Sequence, residues 1–274
     1  MTVTYNSYKK SSFGPAFLFL DKRRRKALQV YYAFCRLMDD IADEPGVKNP
    51  EQELIFWREE IGHVFAQKAT TKLGKDLQKI VTEFNMTPDR FLWLIEGMQA
   101  DVDGRRYQTF EELEWYLWRV AGIVGLATLD IIGVKGEKAQ ALAQALGFAV
   151  QITNIIRDVH EDAKMGRVYL PEDLLRKFGL VREDVLHNTK PEQLSQLLRF
   201  LAQGCKQDYQ RAYEIMDSLP TRQMLPCRVM AFVYQANLAK IEKAHFAFCK
   251  AIKLSKWEKL QQGLYALFKI HCAS

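Results

Sequence analysis

The stretch QITNIIRDVHEDAKMGRVYLP, residues 151–171, combines two features that pull against each other. Ile152, Ile155, Ile156 and Val159 recur at helical spacing and predict a buried helix. Asn154, Asp158 and Asp162 follow one another at intervals of four, so they stack in one oxygen-bearing stripe, about 6 Å per step along the axis. Such a stripe is costly to bury without partners. A second stretch, RLMDDIADE at 36–44, follows the mostly apolar run ALQVYYAFC and repeats the spacing with Asp39 and Asp43. Asp40 points about 100° away from that pair. Like charges four apart repel unless a cation bridges them. Two such stripes facing each other would hold hard divalent cations. Magnesium suits them, because it takes oxygen ligands, keeps waters and accepts substrate phosphates as its remaining ligands. Arg36, Arg157 and Arg167 lie in or beside the two clusters. Their guanidinium groups suit a bidentate grip on diphosphate oxygens, and each can equally pair with a neighbouring acid.

Working outward, helical periodicity runs through most of the 274 residues, and strand alternation is nearly absent. Helices are expected at about 23–43, 50–67, 71–84, 88–101, 109–132, 136–163, 191–218 and 223–252, with a last one near 255–270 and a short one at 171–177. Pro45-Gly46, Thr87-Pro88, a Thr109/Glu112 capping box, Gly133, Pro171 and Pro220 mark their ends. No linker divides the chain, so one all-α domain over 1–274 is expected. Apolar residues make up 48% of the sequence, enough for a large core.

The balance of 39 basic and 33 acidic residues leaves a net charge of +6. That mild surplus suits anionic substrates or an anionic membrane surface. No basic stripe with interleaved aromatics argues for nucleic acid. Five scattered cysteines without a CxxC pair indicate neither zinc nor a disulfide framework, and point to a cytoplasmic setting. No secretory signal is visible, and no run reaches the roughly 18 apolar residues of a membrane span; the best, Val120 to Val134, is broken by Asp130. Any membrane contact is expected to be peripheral. The DKRRRK run at 21–26 reads first as a solvated helix start and second as an attraction to anionic lipid. The basic amphipathic C-terminal pattern reads as a packed helix or a peripheral membrane contact. Val120 to Ala127 and Leu146 to Ile155 are the expected apolar cavity walls, with Val120, Gly122 and Gly125 close to substrate; plain helix packing is the other reading of VAGIVG.

With these motifs in place, the sequence resembles the squalene/phytoene synthase family. The likeness rests on SSFGPAFLFL (11–20), YYAFCRLMDDIADE (31–44), RYQTFEELEWYLWRVAGIVG (106–125) and the 151–171 stretch. It implies an isoprenoid-synthase helical bundle with a central cavity, two aspartate-rich helices across its mouth, and head-to-head joining of two allylic prenyl diphosphates. Carried onto this chain, it implies Mg2+ held with the substrate diphosphate by Asp39, Asp43, Asn154, Asp158 and Asp162. Arg36 and Arg157 would bind diphosphate. Tyr116 would stand near the reacting carbons, Phe13 and Phe17 along the prenyl channels, and Tyr234 near diphosphate. The chain departs from the family pattern at Gly14-Pro15, at His160 and at Ala100-Asp101-Val102. The expected reaction joins two farnesyl diphosphates to presqualene diphosphate. The rivals are a complete squalene or dehydrosqualene synthase, with NADPH needed for squalene, and a phytoene synthase using geranylgeranyl diphosphate. A helical scaffold without catalysis is the reading from another class.

Overall fold

Asp21, Thr71 and Thr109 each precede an apolar-periodic run, and each caps the helix that follows. Asp21 Oδ1 accepts from the Arg24 amide at 2.9 Å, and Thr71 Oγ1 from the Gly74 amide at 2.8 Å. Thr109 Oγ1 accepts from the Glu112 amide at 3.4 Å, while Glu112 reaches back to the Gln108 amide at 2.7 Å, one residue before the expected partner. Asn85 and Gly133 end their helices in the left-handed region, at φ 49° and 88°. These are the donor and acceptor solutions that helix ends require.

The computed structural model describes residues 20–44, 46–246, 251–255 and 258. Among them helices are the only regular structure: α1 Lys22–Asp43, α2 Pro50–Phe65, α3 Lys72–Phe84, α4 Asp89–Val102, α5 Phe110–Leu117, a π-helical turn Trp118–Gly122, α6 Ile123–Ile132, α7 Glu137–Lys164, α8 Glu172–Lys177, α9 Arg182–His187, α10 Pro191–Asp217 and α11 Thr221–Lys243. The fold is all-α. One buried apolar cluster runs from α1 through α11. α7 is the central helix, flanked by α10, the π turn, α6 and α11, while α1 packs on α2, α3, α4 and α6. The two helices that carry the acidic stripes share α6 as a neighbour and otherwise pack against different helices.

Three expectations need correction. The run expected as one helix over 109–132 contains the π turn. There α7 comes very close: a Cβ on Gly147 would lie 2.9 Å from Gly122 Cα. The run expected at 223–252 ends at Lys243, because His245 and Phe246 take left-handed φ of 54° and 58° and turn the chain. The helix expected near 255–270 lies almost wholly outside the described residues. Finally, the stretches Phe110–Ile132 and Glu137–Lys164 are long and apolar enough to cross a membrane. Half of the first window and 72% of the second are buried inside the bundle. Asp130 sits in that interior because Arg90 Nε pairs with it at 2.6 Å.

Candidate active site

An i, i+3/i+4 ladder on α1 brings Leu28, Tyr31, Cys35, Asp39 and Asp43 onto the wall of one cavity of about 550 Å³. α7 supplies the opposite wall through Leu146, Val150, Asn154, Asp158 and Asp162. On both helices the lining changes from apolar to acidic along the axis, so the cavity has a greasy floor and a charged mouth. The third wall comes from Tyr116, Val120, Val124 and Thr128. In a regular α-helix residues at this spacing drift by about 40° per step. The wider π turn between Tyr116 and Val124 offsets part of that drift and holds the series on one face. π turns of this kind recur at functional sites.

The acids at the mouth crowd each other. Burial, then the Asp43 charge, raises the Asp39 carboxyl to about 7. Burial and Asp158 raise Asp162 likewise to about 7, and Asp162 also feels Asp101 and Asp43 across the mouth. Three arginines temper this charge. Arg36 bonds Asp39 at 3.1 Å and Asp40 at 2.6 Å. Arg157 Nε donates to Asp158 Oδ1 at 2.8 Å. Arg167 pairs with Asp43 and donates to the Ala42 carbonyl at 2.8 Å, tying the loop after α7 to the end of α1. Burial opposes the Arg167 charge, but Asp43, Tyr169 and Asp101 together outweigh it and raise its pKa.

These oxygens fit a hard divalent cation. Asn154 Oδ1 is buried and accepts no hydrogen bond from the described residues, while its amide nitrogen donates to Gln151 at 3.1 Å. A buried carbonyl oxygen left open, beside carboxylates driven toward protonation, is the arrangement a cation relieves. Among the described residues no three acidic, thiol or imidazole side chains form a ready cluster. The donors are divided between two walls, so substrate phosphates and water must complete any coordination.

The structure brings Asp39, Asp43, Asn154, Asp158, Asp162, Arg36, Arg157, Arg167, Tyr116, Val120 and Tyr234 to one cavity. Gly122 is a correction. It does not line the cavity but lies under the Trp118 ring and against Gly147, so its missing side chain serves helix packing. Gly125, one turn on, does line the cavity. Phe13 and Phe17 lie outside the described residues. His160 is off the lining; burial and Lys164 lower its pKa.

Among the lining residues to which sequence reasoning gave no part in the site are Asp101, Tyr169 and Lys253. Asp101 accepts the Tyr116 hydroxyl at 2.9 Å and the Tyr169 hydroxyl at 2.8 Å, and the two rings stack with centroids 5.1 Å apart. Lys253 reaches Glu161 at 3.3 Å and lies 4.0 Å from Asp158, because the chain turns after α11 and crosses the rim. Asp101 carried a signal, as an acid at the end of the apolar helix α4. Tyr169 and Lys253 carried none that spacing could expose.

The chain is 32% identical over 253 residues to the presqualene diphosphate synthase of Rhodopseudomonas palustris, covering 91% of this chain and 90% of that one. It is 31% identical over 252 residues to the phytoene synthase of Arthrospira platensis, covering 86% and 82%. A crystal structure of a dehydrosqualene synthase in complex with ligand superposes with a TM-score of 0.86 at 27% identity, over 98% of this chain and 95% of that one. Residues 8–258 match the squalene/phytoene synthase family profile. With that match laid over the cavity and its two acidic walls, the chain belongs to the squalene/phytoene synthase family, the prenyl transferases that condense prenyl diphosphates head to head.

Proposed function

We propose that this protein joins two farnesyl diphosphates into presqualene diphosphate. One observation carries the reading: both oxygen-bearing stripes open onto the same apolar cavity, so a diphosphate at the mouth places its prenyl tail on the greasy floor. The near end-to-end likeness to a presqualene diphosphate synthase supports the choice of product. Magnesium, held by Asp39 and Asp43 on one wall and Asn154, Asp158 and Asp162 on the other, would neutralise the leaving diphosphate. Arg36, Arg157 and Arg167, now paired with those acids, exchange partners and grip diphosphate oxygens. Tyr234 lines the mouth beside Arg157 and orients the same group. Val120, Val124 and Leu146 keep water from the carbocation, and the face of Tyr116 stabilises it. The setting we propose is cytoplasmic, in line with the free thiols of Cys35, Cys205 and Cys227.

A second reading, phytoene synthesis from geranylgeranyl diphosphate, draws on the comparable likeness to the Arthrospira enzyme. Purified protein incubated with farnesyl diphosphate and MgCl2, with and without NADPH, separates the readings by mass spectrometry. Presqualene diphosphate in both incubations is the expected result. Squalene formed only with NADPH identifies a complete squalene synthase. Turnover of geranylgeranyl but not farnesyl diphosphate overturns the proposal in favour of phytoene.

A further inference from the structure

Tyr116 and Tyr169 come from different elements, yet both hydroxyls turn onto the two oxygens of one carboxylate, Asp101. Asp101 lies in the last turn of α4 and faces the cavity. Its hydrogen bonds come from neutral phenols, whereas Arg167, the cation it feels, is bound to Asp43 and Ala42. A purely structural acceptor for two phenols needs no charge, and an amide would serve at lower desolvation cost. A carboxylate at this place can do what an amide cannot, which is to take a proton. Tyr116 cannot act as a resident phenolate, because burial and the Asp101 charge hold its proton on. It can pass one along, with its hydroxyl proton already directed at Asp101.

We propose that Asp101, acting through Tyr116, receives the proton lost when the cyclopropane ring closes. The inference rests on the head-to-head reading above. After the donor C1 has bonded to the acceptor double bond, the acceptor C3 is cationic. The C–H electron pair at the donor C1 becomes the new bond to C3. The proton passes to Tyr116 Oη, and the tyrosine's own proton moves to Asp101 Oδ2. The cation's charge and the carboxylate's charge cancel, and solvent recovers the proton after product leaves. Tyr169 holds the second carboxylate oxygen and so fixes the direction of the relay.

The test measures inorganic diphosphate release and C30 cyclopropane formation together, for wild type, Asp101→Asn, Asp101→Glu, Tyr116→Phe and Tyr169→Phe, each checked for an unchanged melting profile. In wild type one diphosphate is released per C30 product. In Asp101→Asn the ionisation continues, while C30 cyclopropane falls about 100-fold, the scale of a lost proton acceptor; acyclic C30 alcohols from water capture of the coupled cation take its place, with farnesol only where the coupling reverses. Tyr116→Phe shows the same imbalance, Asp101→Glu recovers part of the ring closure, and Tyr169→Phe falls between. Asp101→Asn retaining wild-type stoichiometry, or losing diphosphate release and C30 product in equal measure, overturns the relay. The second outcome would assign Asp101 to metal or diphosphate binding. Failure of the underlying reading is separate, because wild type itself would then make no C30 product; the same ratio is then measured with geranylgeranyl diphosphate.

Discussion

Glu60 and Asp39 are both carboxylates set among apolar helices, and their surroundings push them in opposite directions. Glu60, at the end of α2, is 1% exposed and receives four hydrogen bonds, from the amides and hydroxyls of Thr70 and Thr71, between 2.7 and 2.9 Å. Burial works against its charge, but those donors win and hold its pKa below the usual 4.5. Asp39 has one arginine and a row of like charges, and rises to about 7. The first carboxylate is complete within the protein and ties α2 to α3. The second is incomplete and waits for something the chain does not contain. Glu60 has its oxygens on the fold's own donors, whereas Asp39 keeps about half of its side chain open to the cavity, where a ligand would reach it.

The contrast can be broken by mutation, most severely at the mouth. Asp39→Ala or Asp158→Ala should lower prenyl condensation by roughly a hundred- to a thousandfold, the scale of a lost electrostatic contact to a leaving group. Calorimetric melting of metal-free Asp39→Ala should be unchanged or higher, because a repelling charge has gone while Arg36 keeps Asp40. A melting point that fell in step with activity would make these acids structural.

Glu60→Ala should do the reverse. It strands the donors of Thr70 and Thr71 and should cost about 2–3 kcal/mol by urea denaturation, with condensation by the still-folded fraction intact. Gly147→Ala should follow at about 1–3 kcal/mol. Its Cβ would fall 2.9–3.0 Å from the backbone of Ala121 and Gly122, where no flexible side-chain end can give way.

The pH response sharpens the same comparison. Asp39 and Asp162 titrate near 7 in the folded metal-free protein and near 3.8 when unfolded. The folded state therefore binds more protons between those limits, and these groups make stability fall as pH rises from about 4 to 7. Glu60, with its pKa depressed, contributes stability above its unfolded value of 4.5 and loses it as acid drives pH lower. Magnesium with inorganic diphosphate binds the ionised mouth, so its thermal stabilisation should be larger at pH 8 than at pH 6. An equal shift at both values would place the cation elsewhere.

The smallest effect is expected at the helix start. The DKRRRK run is largely engaged within the chain: Arg23 pairs with Glu83, Arg24 with Asp21 at 2.9 Å, and Arg25 donates to the Leu20 carbonyl at 2.8 Å. Arg23→Ala should shift stability by less than about 1 kcal/mol, as exposed pairs do.

Much of the fold was legible because helix signals are local. Thr109, Gly133, Pro171 and Pro220 act within a few residues of themselves, and the apolar period needs only its own helix. The oxygen-bearing stripes were legible for the same reason, since i, i+4 spacing alone makes Asn154, Asp158 and Asp162 neighbours. The π turn was not, because it answers the approach of α7 through Gly147, 25 residues beyond Gly122. Gly122 was read as close to substrate for want of that contact. The crossing of Lys253 over the rim was hidden because helical periodicity does not report a chain reversal.

By itself, the sequence determined most of the helices and the two acid stripes, because each depends on spacing along one helix, while the class of chemistry came from the likeness of whole motifs to a family. Only the tertiary structure decided that the stripes share one cavity, that Tyr116 and Tyr169 converge on Asp101, and that Glu60 is satisfied while Asp39 is not. Those outcomes depend on which groups meet from distant parts of the chain. Hydrogen bonds and charges act over a few ångströms, a distance that folding sets and residue numbering does not.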